Sequence, residues 1–102
     1  MAVLILFLLI NMDPQLFKDK RFVKKCKFFK CLNLHRKEVT GDKQSIERVM
    51  RAWRLVITYA HPENGGSQEW WDRVNMAYEC LSDDWCRIAY VDALNRFKLD
   101  DG

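Results

Sequence analysis

His61-Pro62-Glu63-Asn64-Gly65-Gly66 is the stretch that decides the fold, because of what stands on either side of it. Upstream, Ile46, Val49, Trp53, Val56 and Ala60 recur at spacings of three and four, which places them on one face of a helix. Downstream, Trp71, Val74, Tyr78 and Leu81 do the same. Between them, Pro62 stops a helix and biases His61 towards extended angles. Gly65 and Gly66 permit the positive φ of a sharp reversal. Two amphipathic helices joined this way fold back and bury their stripes against each other, which leaves His61, Pro62 and Glu63 at the tip. The expectation is an all-α chain built on an antiparallel helical hairpin, at about residues 43–60 and 68–82, with a short helix before it and one after.

Both helices of the hairpin have start signals. Asp42, after Thr40 and Gly41, is the expected N-cap of the first, and Ser67 of the second, with Glu69 in the first turn. Ser82-Asp83-Asp84 caps a last helix running through Trp85, Ile88, Tyr90 and Leu94 towards Phe97. Trp70 falls beside the apolar stripe and is expected at the edge of the core.

The order of these motifs resembles the J domain, the module of the DnaJ co-chaperone family. That family has a helix ending in His-Pro-Asp, a Gly-rich or basic loop, a helix ending Ala-Tyr-Glu-x-Leu-Ser-Asp, and a short helix carrying Arg-x-x-Tyr. The counterparts here are His61-Pro62-Glu63, then Ala77 to Asp83, then Arg87-Ile88-Ala89-Tyr90. Phe28-Phe29-Lys30-Cys31-Leu32-Asn33 is similar to the family's opening Tyr-Tyr-x-x-Leu-Gly. Beyond that opening, two letters differ: Glu63 stands for the tripeptide's Asp, and Val91 stands where Asp commonly follows the Tyr. The resemblance implies that Trp71 and Tyr78 are buried. It also implies a partner, a heat-shock-seventy (DnaK-type) chaperone that His61, Pro62 and Glu63 would contact and whose ATP hydrolysis they would modulate. The substitution at Glu63 implies weak stimulation. Arg48, Arg51 and Arg54, opposite the apolar stripe, would steer the encounter with an acidic surface, and Asn64, Gly65 and Gly66 would set loop geometry. The alternative is a degenerate J-like domain that docks or regulates without stimulating.

Charge is unevenly distributed in the 102-residue chain: residues 1–60 hold 13 Lys or Arg against 5 Asp or Glu, and residues 61–102 hold 4 against 9. The first part therefore suits an acidic partner. From Lys18 to Lys30 seven basic residues and one acidic residue interleave with Phe22, Val23, Phe28 and Phe29. The favoured reading is an amphipathic helix with packed aromatics and solvated lysines. Weak contact with nucleic acid or an anionic membrane through residues 18–37 is the other.

Residues 1–12 form an apolar N-terminal segment, in which Ala2 to Ile10 is an unbroken apolar run. As a helix it would span roughly 14 Å, about half a bilayer core, too short to cross. With no basic residue before it and no small-residue cleavage site after it, secretion is not expected. A cytoplasmic or membrane-peripheral chain is expected, with Met12 as an alternative start. The division expected of the rest is a basic and aromatic extension at 13–27, opening at the Asp13-Pro14 break, a J-like domain at 28–98 and a frayed tail at 99–102.

Enzymatic chemistry is not expected. His61 beside Glu63 or Asp72 suggests an acid–base pair, but no nucleophile motif or phosphate-binding loop accompanies it. Neither Cys26 with Cys31 nor Cys80 with Cys86 has zinc-knuckle spacing, so no metal or other cofactor is expected, and no small-molecule substrate. Cys31 and Cys80 stand where the family that the chain resembles has apolar residues, which implies that both are reduced core residues.

Overall fold

The computed structural model describes residues 14–101, so the readings of the apolar run, Asp13 and the start at Met12 lie outside the described residues, as does Gly102. The described chain is helical throughout, with no strand among these residues. A 3-10 turn, Pro14–Lys18, leads into α1 (Lys20–Cys26), α2 (Phe28–Cys31), a second 3-10 turn (Arg36–Glu38), α3 (Lys43–Ala60), the turn Pro62–Asn64, α4 (Gln68–Ser82) and α5 (Asp84–Phe97). The hairpin helices therefore stand at the residues expected.

Local chemistry sets the helix ends. The Asp42 carboxylate accepts the Ser45 N–H and the Ser45 hydroxyl, each at 2.7 Å, which starts α3. These hydrogen bonds hold the Asp42 carboxyl below its usual range. Ser67 Oγ accepts the Trp70 N–H at 3.0 Å, and Asp83 Oδ2 accepts the Cys86 N–H at 2.8 Å, which start α4 and α5. Asp19 caps α1 through the Arg21 N–H. The basic stretch is not one continuous helix: Lys27 takes a left-handed conformation, φ 47°, and turns the chain between α1 and α2.

α3 and α4 run antiparallel. His61 meets Trp71 near the tip, whereas Trp53, two turns back along α3, donates its indole N–H to Asn75 and stacks on Tyr78 with ring centroids 4.6 Å apart. Val49, Ala60, Val74, Ala77 and Leu81 are fully buried. Trp53, Val56, Trp71 and Tyr78, expected to be buried, are only half-buried. The reason is that α4 is the principal neighbour of α3, so the aromatic edges of a two-helix seam stay open to water. Trp70 lies beyond that edge and is exposed.

The main core lies at the other side of α4, where α1, α2 and α5 converge. Tyr90 is its centre, with the rings of Phe28, Phe17 and Phe29 at 4.8, 5.8 and 5.9 Å. Two expected boundaries are corrected here. Residues 17–26 are not an extension outside the domain: Phe17, Val23 and Cys26 belong to the same core, and Arg96 donates to the Phe17 carbonyl at 2.7 Å. Nor does the tail fray at Asp101. Asp101 is 2 % exposed, its carboxylate accepts the N–H groups of Phe29 and Lys30 at 3.0 and 2.9 Å, and it accepts the Tyr90 hydroxyl proton. A residue from the tail thus supplies acceptors for the unpaired N–H groups at the start of α2.

The cysteine expectation is corrected as well. Cys80 is not a reduced core thiol but is disulfide-bonded to Cys86, with Cα atoms 5.0 Å apart. The turn at Asp83 folds the first turn of α5 back against the last turn of α4, which brings two cysteines six residues apart within bonding reach. Cys26 and Cys31 remain free. No helix among the described residues is long and apolar enough to cross a membrane.

Candidate functional site

The tip of the hairpin is closed by three backbone hydrogen bonds and two made by side chains. Pro62 holds His61 at extended angles, φ −63° and ψ 133°, and opens a single 3-10 turn. The His61 carbonyl accepts two N–H groups, from Asn64 at 2.9 Å and Gly66 at 3.0 Å. Gly65 takes φ +92°, the left-handed value that closes the turn. Gly66 has a different role. A Cβ there would overlap the Ala60 carbonyl and lie 2.7 Å from the Tyr59 carbonyl oxygen, so the absence of a side chain lets the loop press against the end of α3. Asn64 completes the closure by donating its side-chain amide to the Thr58 carbonyl at 2.9 Å, satisfying one of the unpaired carbonyls of the last turn.

His61 is turned inward as well as outward. Its Nδ1 accepts the Glu63 N–H at 3.1 Å, which places the ring proton on Nε2, and the ring packs edge-on against Trp71 at 4.8 Å. The partly covered imidazole therefore acts first as the cap of its own turn. Neither carboxylate that the sequence suggests as its partner is hydrogen-bonded to the ring: Asp72 is held by Gln68 at 2.7 Å. The Glu63 carboxylate is exposed and makes no hydrogen bond or ion pair among the described residues. Pro62 is likewise exposed. The tip thus presents a proline face and an unengaged carboxylate on a closed backbone.

The three arginines lie on the solvent side of α3. Arg48 approaches Glu38 at 3.7 Å, an exposed pair that contributes little. Arg51 and Arg54 are exposed and carry no ion pair among the described residues. The same surface holds two residues that the sequence reading passed over. Leu55 is 71 % exposed and Tyr59 is 67 % exposed, and with Arg51 they form a row at spacing four that runs towards the tip. The signal was available, because both are apolar residues of α3 that fall off its apolar stripe. Arginine and tyrosine are among the residue types enriched at protein interfaces.

The remaining motif residues are structural. Arg87 is buried and donates to the Leu81 carbonyl at 3.1 Å while pairing with Asp84, which ties the end of α4 to α5. Tyr90 accepts the Phe28 N–H at 3.2 Å. No group of His, Cys, Asp or Glu among the described residues is arranged to hold a metal ion. Compared with protein-family profiles, with curated proteins and with solved structures, the chain returns no match in any of the three.

Proposed function

We propose that the chain is a J-domain-type co-chaperone that docks on a heat-shock-seventy (DnaK-type) chaperone and modulates its ATP hydrolysis. The observation that carries this reading is the tip. His61 and Asn64 spend their hydrogen bonds on closing the turn, so that Pro62 and the Glu63 carboxylate stand free at the end of a basic helix. The antiparallel pair α3–α4, with a short helical segment before it and α5 after it, agrees with the arrangement that the sequence resemblance implies. Arg51, Arg54, Leu55 and Tyr59 extend the docking surface along α3. The arginines raise the encounter rate with an acidic partner, and the two exposed apolar residues hold the complex once formed.

Glu63 sets the strength of the effect. One more methylene than Asp displaces the carboxylate by roughly 1 Å and adds a rotatable bond. A charged hydrogen bond contributes about 1.5–3 kcal/mol, so its loss lowers stimulation roughly ten- to hundredfold. The closed backbone leaves the loop little freedom to retreat, since Gly66 is already against Ala60. Stimulation is therefore weak, with the degenerate, docking-only domain as its limit.

Steady-state ATP turnover by a DnaK-type chaperone tests this. Glu63→Asp should raise stimulation and His61→Gln should remove it. Arg51→Glu should slow association and flatten its salt dependence. If the natural chain and both tip variants are inert yet bind the chaperone, the domain is a docking module. If none binds, the co-chaperone reading fails.

A further inference from the structure

The tip and α3 leave the basic stretch at residues 18–30 without a role. Its lysines and arginine are exposed, with no ion pair among the described residues. Between α1 and α4, Arg21, Lys24, Lys25 and Lys27 border a cleft of about 650 Å³. Phe22, Phe28 and Met76 give the cleft an apolar lining. Arg21, Lys24, Lys25, Lys27 and Arg73 stand around it, and no carboxylate lines it. Arg73 is fixed there by its hydrogen bond to the Lys25 carbonyl at 3.0 Å. Five cations around an apolar recess combine charge and apolar attraction in one patch.

We infer that the α1 face docks on a bilayer rich in anionic phospholipid, with these cations on the headgroups and the apolar cleft against the acyl boundary. Membrane attachment of this kind needs two signals, an apolar one and a polybasic one, since either alone is marginal. Nucleic acid shares the charge requirement but fits the surface less well. Single strands are held by stacking on exposed rings, whereas of the two rings in the cleft Phe28 is buried and Phe22, only partly exposed, already packs on Phe17 at 5.9 Å. The inference does not depend on the co-chaperone reading, because it uses none of the tip or α3 residues.

The test is sedimentation of the full chain with vesicles of phosphatidylcholine alone, or of phosphatidylcholine with about one third phosphatidylserine. Binding should require the anionic lipid and weaken with salt. Each cation lost should lower partitioning about fivefold, so Lys24→Gln with Lys25→Gln should lower it roughly 25-fold, and the double change to Glu further. Both sites are exposed, and an unchanged circular dichroism spectrum verifies that each variant is folded. Equal binding to neutral vesicles would assign attachment to apolar contact alone and overturn the proposal. So would vesicle binding indifferent to both double variants, binding to RNA but not to vesicles, or binding to neither.

Discussion

The hairpin tip and the core around Tyr90, the core end, are built on opposite plans. At the core end, polar groups are turned inward and consumed: the Tyr90 hydroxyl and the Asp101 carboxylate close on each other and on the N–H groups of Phe28, Phe29 and Lys30, inside a shell of aromatic rings. At the tip the side chains do less. The hydrogen bonds of His61, Asn64 and Gly66 join residues at most six apart, and the Glu63 carboxylate supports nothing. Long-range side-chain bonds hold one end together, while local bonds hold the other. A carboxylate with no structural duty can change without harm to the fold, so its identity at the tip is open to selection by a partner, whereas that of Asp101 is tied to stability.

Substitutions can break this contrast or sharpen it. Phe29→Ala empties a fully buried ring site and should lower unfolding free energy by about 3–5 kcal/mol in urea titrations. A loss below about 1 kcal/mol would mean that the core end is no firmer than a surface. Asp101→Asn keeps the shape but weakens charged hydrogen bonds to two backbone N–H groups, and should lower stability by about 1.5–3 kcal/mol. A neutral result would return the tail to the frayed state that the sequence suggests. Gly66→Ala forces the loop away from Ala60, a local strain of about 1–3 kcal/mol, and should also abolish any chaperone stimulation.

The core end should also be the alkali-sensitive one. Burial, reinforced by the Asp101 charge, pushes the Cys26 thiol from 9.0 up to about 12, and burial raises the Tyr90 phenol as well. A raised pKa contributes stability that is complete below the unfolded-state value and is lost as pH rises towards the folded one. Moving from pH 8 to pH 10 should therefore weaken the fold by about 1.4 kcal/mol through Cys26, and Cys26→Ala should remove that slope. An unchanged slope in the variant would assign the alkaline loss elsewhere. The smallest effect belongs to Glu63→Ala, which should alter stability by no more than about 0.5 kcal/mol. A larger loss would show that the Glu63 carboxylate has a structural duty after all, and the contrast between the two ends would collapse.

Much of the tip was legible in the sequence. Pro62 and Gly65 act within a turn, and Asp42, Ser67 and Asp83 each reach an N–H three residues ahead, so their effects are written in adjacent letters. Gly66 was legible as a glycine of the reversal, but not as the point where the loop touches Ala60. Leu55 and Tyr59 were legible too, had the apolar residues off the stripe been weighed beside those on it.

By itself, then, the sequence determined where each hairpin helix begins and ends and which residues occupy the turn, because those depend on interactions spanning a few residues. Tertiary structure alone decided the rest. Phe28 bonds to Tyr90 across 62 residues, Phe29 to Asp101 across 72 and Arg96 to Phe17 across 79, and no periodicity encodes such partners. Whether Trp53 and Trp71 were buried or only half-covered depended on α3 having α4 as its principal neighbour. Likewise Cys80 met Cys86 only once α5 had folded back at Asp83. A periodic stripe specifies which face of a helix is apolar, but the number of neighbours that come to cover that face is a property of the assembled chain.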